Sequence, residues 1–279
     1  MNAILQARDV SFGIGRSVLV RSCTLSLVPA HVTVIIGPNG AGKSTFLKLI
    51  SGELTPSTGA ITSFGEPLNR IPAWRLACRR AVMAQIARLN FPFAVYEVVR
   101  LGIEGFGRAR AKESSERLVS SALEQADILH LAERDYQTLS GGEQQRVQFA
   151  RALCQLDAGQ STEPRQALLL DEPIASLDLC HQLALLETIR MLAQSRGLAV
   201  LAILHDLNLA SHFADELVVM DGGEIVSCGA PGTVLDEACL RRVFGVELSY
   251  PASVPAEIKP AVLPQFCALT HDHASMRAA

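Results

Sequence analysis

The sequence contains no long apolar run. Its longest, Leu198 to Leu204, has seven residues, far short of the roughly 18 that a membrane-spanning helix needs. The N-terminal stretch carries Gln6, Arg8 and Asp9 and lacks the basic start and apolar body of a secretory leader. The expected location is the cytosol or the surface of a membrane. There is no C-x-x-C pair either. The seven cysteines (Cys23, Cys78, Cys154, Cys180, Cys228, Cys239, Cys267) are scattered, which argues against a zinc site and for reduced, structural thiols. Charge of neither sign dominates: 25 basic residues face 28 acidic ones for a net charge of -3, so bulk attraction to nucleic acid is not expected. No internal repeat is visible. The 279 residues hold one large α/β domain with a smaller subdomain, and two fused copies of such a unit would not fit.

What is present begins with apolar residues. They make up 49% of the chain, and the mean hydropathy is +0.24, which suggests an apolar contact surface beyond the core. The β-branched run Val32-Thr33-Val34-Ile35-Ile36 reads as a buried strand and Thr45 to Ile50 as a helix. Between them, Gly37-Pro38-Asn39-Gly40-Ala41-Gly42-Lys43-Ser44 fits the phosphate-loop template G-x-x-x-x-G-K-[ST] at every fixed position. Glycines let backbone amides approach phosphate oxygens that a Cβ would hold off, and the helix N-terminus adds N–H donors and a positive dipole end. Lys43 is expected on the β- and γ-phosphates and the Ser44 hydroxyl on Mg²⁺.

A second segment, Leu168-Leu169-Leu170-Asp171-Glu172-Pro173, is a buried strand ending in two carboxylates. Desolvating them is costly unless a cation or an attacking water is there. Asp171 is assigned to Mg²⁺ and Glu172 to polarising the hydrolytic water. A third segment, Leu139-Ser140-Gly141-Gly142-Glu143-Gln144-Gln145-Arg146, opens a helix expected from Glu143 to about Gln155, a second N-terminus suited to phosphate.

The third segment resembles the signature motif of ABC ATPases, which other phosphate-loop families lack, and with the first two in this order it identifies the chain as similar to that family. The fold implied is a P-loop NTPase (RecA-like) α/β core with an N-terminal antiparallel β-subdomain and an inserted α-helical signature subdomain. The resemblance further implies that the signature of one copy closes on ATP held by the other, so that a head-to-tail homodimer sandwiches two ATP. Other positions follow by the same resemblance. Phe12 would stack on adenine, Gln85 would contact Mg²⁺ and relay to a membrane partner, and His205 would contact the γ-phosphate. Ala175-Ser176-Leu177-Asp178 would form the D-loop at the dimer interface, and Thr45 completes the phosphate-binding set. Ile174 departs from the threonine common after Asp-Glu-Pro, outside the chemistry.

Along the chain, Glu66 to Pro72 reads as a loop before a basic helix, Trp74 to Arg80, and Lys112 to Leu129 as an amphipathic helix with a stripe of Leu118, Val119, Ala122, Leu123 and Ala126. Asp157 to Gln166 reads as a polar surface loop. Helices are expected over Leu179 to Ser195 and Asn208 to His212, and a hairpin around Gly222-Gly223. The resulting layout is an ATPase domain over 1–245, with core at about 1–90 and 160–245 and a helical subdomain at about 91–156. A tail over 246–279 follows, extended by Pro251, Pro255, Pro260 and Pro264, with His271 and His273 near its end.

The segment Phe91 to Gly102, the insert at 157–166 and Leu177 to Gln182 are similar to those of haem-importer ATPases. Ferric-siderophore and cobalamin importer ATPases are close relatives with most of the same features. That resemblance implies a subunit peripheral to the cytoplasmic face of a bacterial inner membrane. Its partners would be a second copy, a transmembrane permease dimer and, indirectly, a periplasmic haem-binding protein. Haem itself would pass through the permease. A soluble ABC regulator of translation or DNA repair is the alternative of a different class, but such proteins usually carry two cassettes or long basic insertions.

Overall fold

The computed structural model describes residues 3–85, 91–104, 112–249, 262 and 267–269. Strands β1 (Leu5–Ile14) and β2 (Ser17–Leu27) form an antiparallel hairpin, and β3 (His31–Ile36) leads through a loop into helix α1 (Lys43–Ser51). Strands β4 (Thr58–Ser63) and β5 (Glu66–Pro67) return to the hairpin and complete a four-stranded antiparallel sheet in the order β2-β1-β4-β5. Helix α2 (Ala73–Arg79) and strand β6 (Arg80–Met83) precede three helices, α3 (Val95–Glu104), α4 (Lys112–Gln125) and α5 (Gly141–Gly159). Strand and helix then alternate through β7 (Ala167–Asp171), α6 (Leu179–Arg196), β8 (Ala199–Ile203) and α7 (Leu207–Phe213). The hairpin β9 (Glu216–Asp221) and β10 (Glu224–Gly229) follows.

The second sheet has six strands in the order β10-β9-β3-β8-β7-β6, parallel throughout except for β10 at its edge. Every residue of β7 and β8 is buried, as expected for parallel strands covered on both faces. The twofold alternation of a strand divides these residues between two cores. Val34, Ile36, Leu168, Leu170, Val200 and Ala202 face the core shared with α3 to α7. Ile35, Leu169, Leu201 and Ile203 face the core built from α1 and the antiparallel sheet, including Phe46, Leu47 and Ile50. On α4 the expected stripe is present: Val119, Ala122 and Leu123 are buried, as is Ala126 beyond the helix end, and Leu118 packs half-buried beside them.

Four expectations change. The signature helix was expected to end near Gln155 and a surface loop to begin at Asp157, yet α5 runs to Gly159. Ala158 and Gln166 are buried. The Gln166 carboxamide donates to the carbonyls of Cys78 (2.7 Å) and Leu156 (2.8 Å), and Glu163 receives Arg75 and Arg79. The expected surface turn remains over 160–165, where all but Glu163 are exposed, while its two ends are buried or paired. The Glu66–Pro72 loop contains β5 and a single 3₁₀ turn over Leu68–Arg70, and Arg80 belongs to β6 instead of the preceding helix. The tail is paired where it is described: β11 (Val246–Leu248) and β12 (Cys267–Leu269) run antiparallel. Both backbone groups of Val262 bond the side chain of Asn208. The four tail prolines, His271 and His273 lie outside the described residues. Among the described residues no helix is long and apolar enough to cross a membrane.

Candidate active site

The site gathers at the carboxyl ends of four neighbouring parallel strands, β3, β8, β7 and β6, where parallel α/β sheets place their ligands. From β3 comes the glycine loop. A Cβ on Gly37 would lie 2.0 Å from the carbonyl oxygen of Met220 in β9, and one on Gly42 2.4 Å from that of Leu19 in β2, so only glycine lets the loop sit between the two sheets. The amide of Gly223, in the β9–β10 turn, donates to the carbonyl of Ala41 (3.2 Å), and the amide of Phe46 to that of Gly42 (2.8 Å).

Lys43 is 6% exposed. Its ammonium donates to the carbonyls of Gly37 (2.8 Å) and Pro38 (2.9 Å), folded over the loop that a phosphate would occupy. Burial pushes its pKa down, against the pull of Glu172 and Asp171. A buried cation over a cradle of glycine amides fits a polyphosphate. Beside it the Ser44 hydroxyl donates to Asp171 Oδ1 at 3.1 Å. Asp171 is 4% exposed, and burial pushes its carboxyl up, with the Ser44 hydrogen bond acting the other way. Two hard oxygen donors, one of them a buried carboxylate, fit Mg²⁺.

Glu172 follows β7 with φ of 53°, a left-handed conformation costing a non-glycine residue about 1–3 kcal/mol. Both oxygens of its carboxylate are held. Oε2 accepts from Gln85 Nε2 at 2.7 Å, and Oε1 lies 2.6 Å from His205 Nε2. Gln85 follows β6 and His205 follows β8, so three residues far apart in sequence meet at one carboxylate. The hydrogen bond of Gln85 is thus to Glu172, the candidate base. Phe12 sits on β1 opposite Val20, the neighbour of the Leu19 that meets Gly42, half-buried against the core on that face.

The signature residues are elsewhere. Ser140 caps α5 in a reciprocal box: Glu143 N–H donates to its hydroxyl (3.3 Å), while its own N–H and hydroxyl donate to Glu143 Oε2 (2.7 and 2.8 Å). The Ser140 N–H bond is the main reason the Glu143 carboxyl is held low. Gly141 and Gly142 pack on the D-loop at Ser176 and Leu177. Asp178 caps α6, accepting from the N–H of His181 at 3.0 Å. Among the described residues no hydrogen bond joins 140–142 to the phosphate loop at 37–45.

Sequence reasoning missed the glutamines behind the site. Gln145 Nε2 donates to the Glu172 carbonyl (3.2 Å), and its Oε1 accepts from Ser176 N–H (3.1 Å). Gln182 Nε2 donates to the carbonyls of Ile174 (3.3 Å) and Leu177 (3.0 Å). The available signal was an amide residue four or five positions into each helix, beside an irregular loop.

The sequence model of the ABC transporter family matches residues 20–175. The chain is 42% identical over 262 residues to the Hemin import ATP-binding protein HmuV of Rhizobium meliloti strain 1021, covering 94% of this chain and 98% of that protein. It is 44% identical to HmuV of Agrobacterium fabrum, over 88% of this chain and 93% of the relative. To HmuV of Hahella chejuensis it is 46% identical, over 82% and 88%. Among solved structures, an ATP-binding cassette of an ABC transporter, MJ1267, superposes with a TM-score of 0.74 at 25% identity, covering 86% of this chain and 98% of that one. The dimeric bacterial cassette MJ0796 does so at 0.71 and 24%, over 81% and 98%.

Proposed function

The chain belongs to the ABC transporter family as an ATP-binding subunit whose ATPase is coupled to transport, and on that premise we propose that it energises haem import across a bacterial inner membrane. The observation that carries the cargo is identity of 42% to a hemin-import ATP-binding protein along nearly the whole of both chains. In this reading Lys43 and the amides from Gly37 to Thr45 hold the phosphates of ATP, with Phe12 against its adenine. Ser44 and Asp171, with Gln85, would hold Mg²⁺, which when bound neutralises phosphate charge. Glu172 takes the proton of the attacking water, and His205, hydrogen-bonded to it, orients that carboxylate.

Because no hydrogen bond among the described residues joins Ser140 to Gly142 to the phosphate loop of their own chain, the reading calls for a second copy. Its signature would complete each site across the D-loop at Asp178, giving a head-to-tail homodimer. The core at about 1–90 and 160–245 would carry the nucleotide and the helical part at about 91–156 the signature. Docking on a permease dimer is supported by exposed apolar side chains: Phe91 is 69% and Trp74 54% exposed, and Phe91 meets Phe93 edge-on. The subunit is then peripheral to the cytoplasmic face, with a periplasmic haem-binding protein delivering cargo on the other side.

The test is ATPase activity of the subunit reconstituted with its permease in proteoliposomes. Haem-loaded binding protein is expected to stimulate turnover severalfold over the empty protein. Stimulation by a cobalamin- or siderophore-loaded protein instead would move the cargo to those relatives.

A further inference from the structure

Glu172 is fixed by more than its side chain. Its carbonyl is the weak acceptor of a turn closed by Ala175 N–H at 3.4 Å, and the carboxamide of Gln145 reaches the same oxygen at 3.2 Å. The other end of that carboxamide takes the N–H of Ser176 at 3.1 Å. One side chain therefore spans the catalytic turn and the D-loop. It orients the Glu172 peptide plane, and with it the direction in which the strained residue projects its carboxylate between Gln85 and His205. Gln145 itself stands at the start of the second turn of α5, five residues after the Ser140 cap. Gly141 and Gly142 of the first turn pack on Ser176 and Leu177 so closely that a Cβ on either would lie 3.0 to 3.2 Å from them. The start of α5 and the Glu172 turn are thereby joined through a bidentate amide and a tight contact.

We propose that Gln145 is a positioning residue for hydrolysis, which ties the Glu172 peptide and the D-loop to the start of the signature helix within one chain. The proposal rests on the reading of Glu172 as general base. If the signature end of a chain meets the ATP of a second copy while Glu172 serves its own, Gln145 joins half-sites that act on two different nucleotides. Docking of phosphate at Ser140 then shifts α5 and, through Gln145, sets the base acting on the other ATP.

The experiment uses the purified full chain, measuring steady-state kcat and KM for ATP together with the affinity for a fluorescent ATP analogue. Gln145→Met keeps the length and removes both hydrogen bonds. Its kcat is expected to fall about 10- to 100-fold, the scale on which a small misplacement costs rate, with KM and analogue affinity within about twofold and the Hill coefficient for ATP falling towards one. Gln145→Glu keeps the acceptor for Ser176 and loses the donor to Glu172, so its kcat should fall between the two. A Gln145→Met kcat within about twofold of the parent, or a loss carried by KM, overturns the proposal. Should Gln145→Met fail to melt cooperatively, Gln145→Glu decides, and a parental kcat in that variant overturns it. A Glu172→Gln chain that hydrolyses at the parental rate removes the base and overturns both readings. An inactive Glu172→Gln beside a fully active Gln145→Met overturns only this one.

Discussion

The phosphate loop and the signature segment are built in opposite ways. The phosphate-loop end buries its charges, Lys43 and Asp171 being 6% and 4% exposed, beside the exposed Gln85 and His205, and its groups come from the ends of β3, β6, β7 and β8, locked by a continuous sheet. The signature end is one helix N-terminus, and its Ser140 already has partners within the chain in the Glu143 box. The first end carries charges whose burial works against folding and that a ligand would relieve. The second is already hydrogen-bonded within the chain, and under the proposed function it would give up those bonds to engage a ligand. In the proposed dimer this asymmetry would leave one half-site preorganised to bind and hold the other back until closure.

The largest effect is expected at Lys43. Lys43→Ala should lower ATP turnover by at least about 10²–10³-fold and abolish nucleotide-dependent dimerisation, read by phosphate release and by light scattering. Dimerisation that survives would show that the buried end is not where ATP is captured. Asp171→Asn should abolish Mg²⁺-dependent turnover while stabilising the nucleotide-free chain, by about 2–4 °C in Tm for each kcal/mol of charge burial relieved. The sign follows from a folded-state pKa raised by burial. Whatever stability Asp171 lends is present below its ordinary value of 3.8 and is lost as pH rises through the folded value. The Tm gap between Asn and Asp should accordingly be small in acid and open towards neutral pH, and a pH-independent gap would remove charge burial as its cause. The smallest effect is at Ser140. Ser140→Ala should cost about 1 kcal/mol of stability for the lost cap, measured by urea denaturation. ATP affinity of the monomer should be unchanged, while turnover of the dimer falls. Weakened monomer affinity would erase the difference between the two ends.

Much of this architecture was legible because it is local. Gly37 to Ser44 is a contiguous run in which residue type sets backbone conformation directly, and Leu168 to Glu172 announces a buried strand ending in charge. The alternating strands and the α4 stripe were readable from their periods. The misreadings share a cause. Gln166 and Glu163 look solvent-directed in sequence, but their partners, the carbonyl of Cys78 and the guanidinium groups of Arg75 and Arg79, lie about 80–90 residues away. Gln145 and Gln182 were overlooked for a different reason, since their partners lie nearer in the chain. Each serves backbone groups of an irregular loop whose own hydrogen bonds are two long turn bonds, and such service leaves no pattern in spacing.

The sequence by itself determined the chemistry available: a phosphate loop, a carboxylate pair after a buried strand, a capped signature helix and the family they define. Which groups meet was decided only by the tertiary structure. Gln85 and His205 are brought to the Glu172 carboxylate by the lateral order β8-β7-β6, and the start of α5 is packed against Ser176 and Leu177. Backbone geometry within a loop depends on neighbours in the chain. Convergence across strands depends on which strands pair, and that is settled by burying both faces of a sheet whose strands come from distant parts of the sequence.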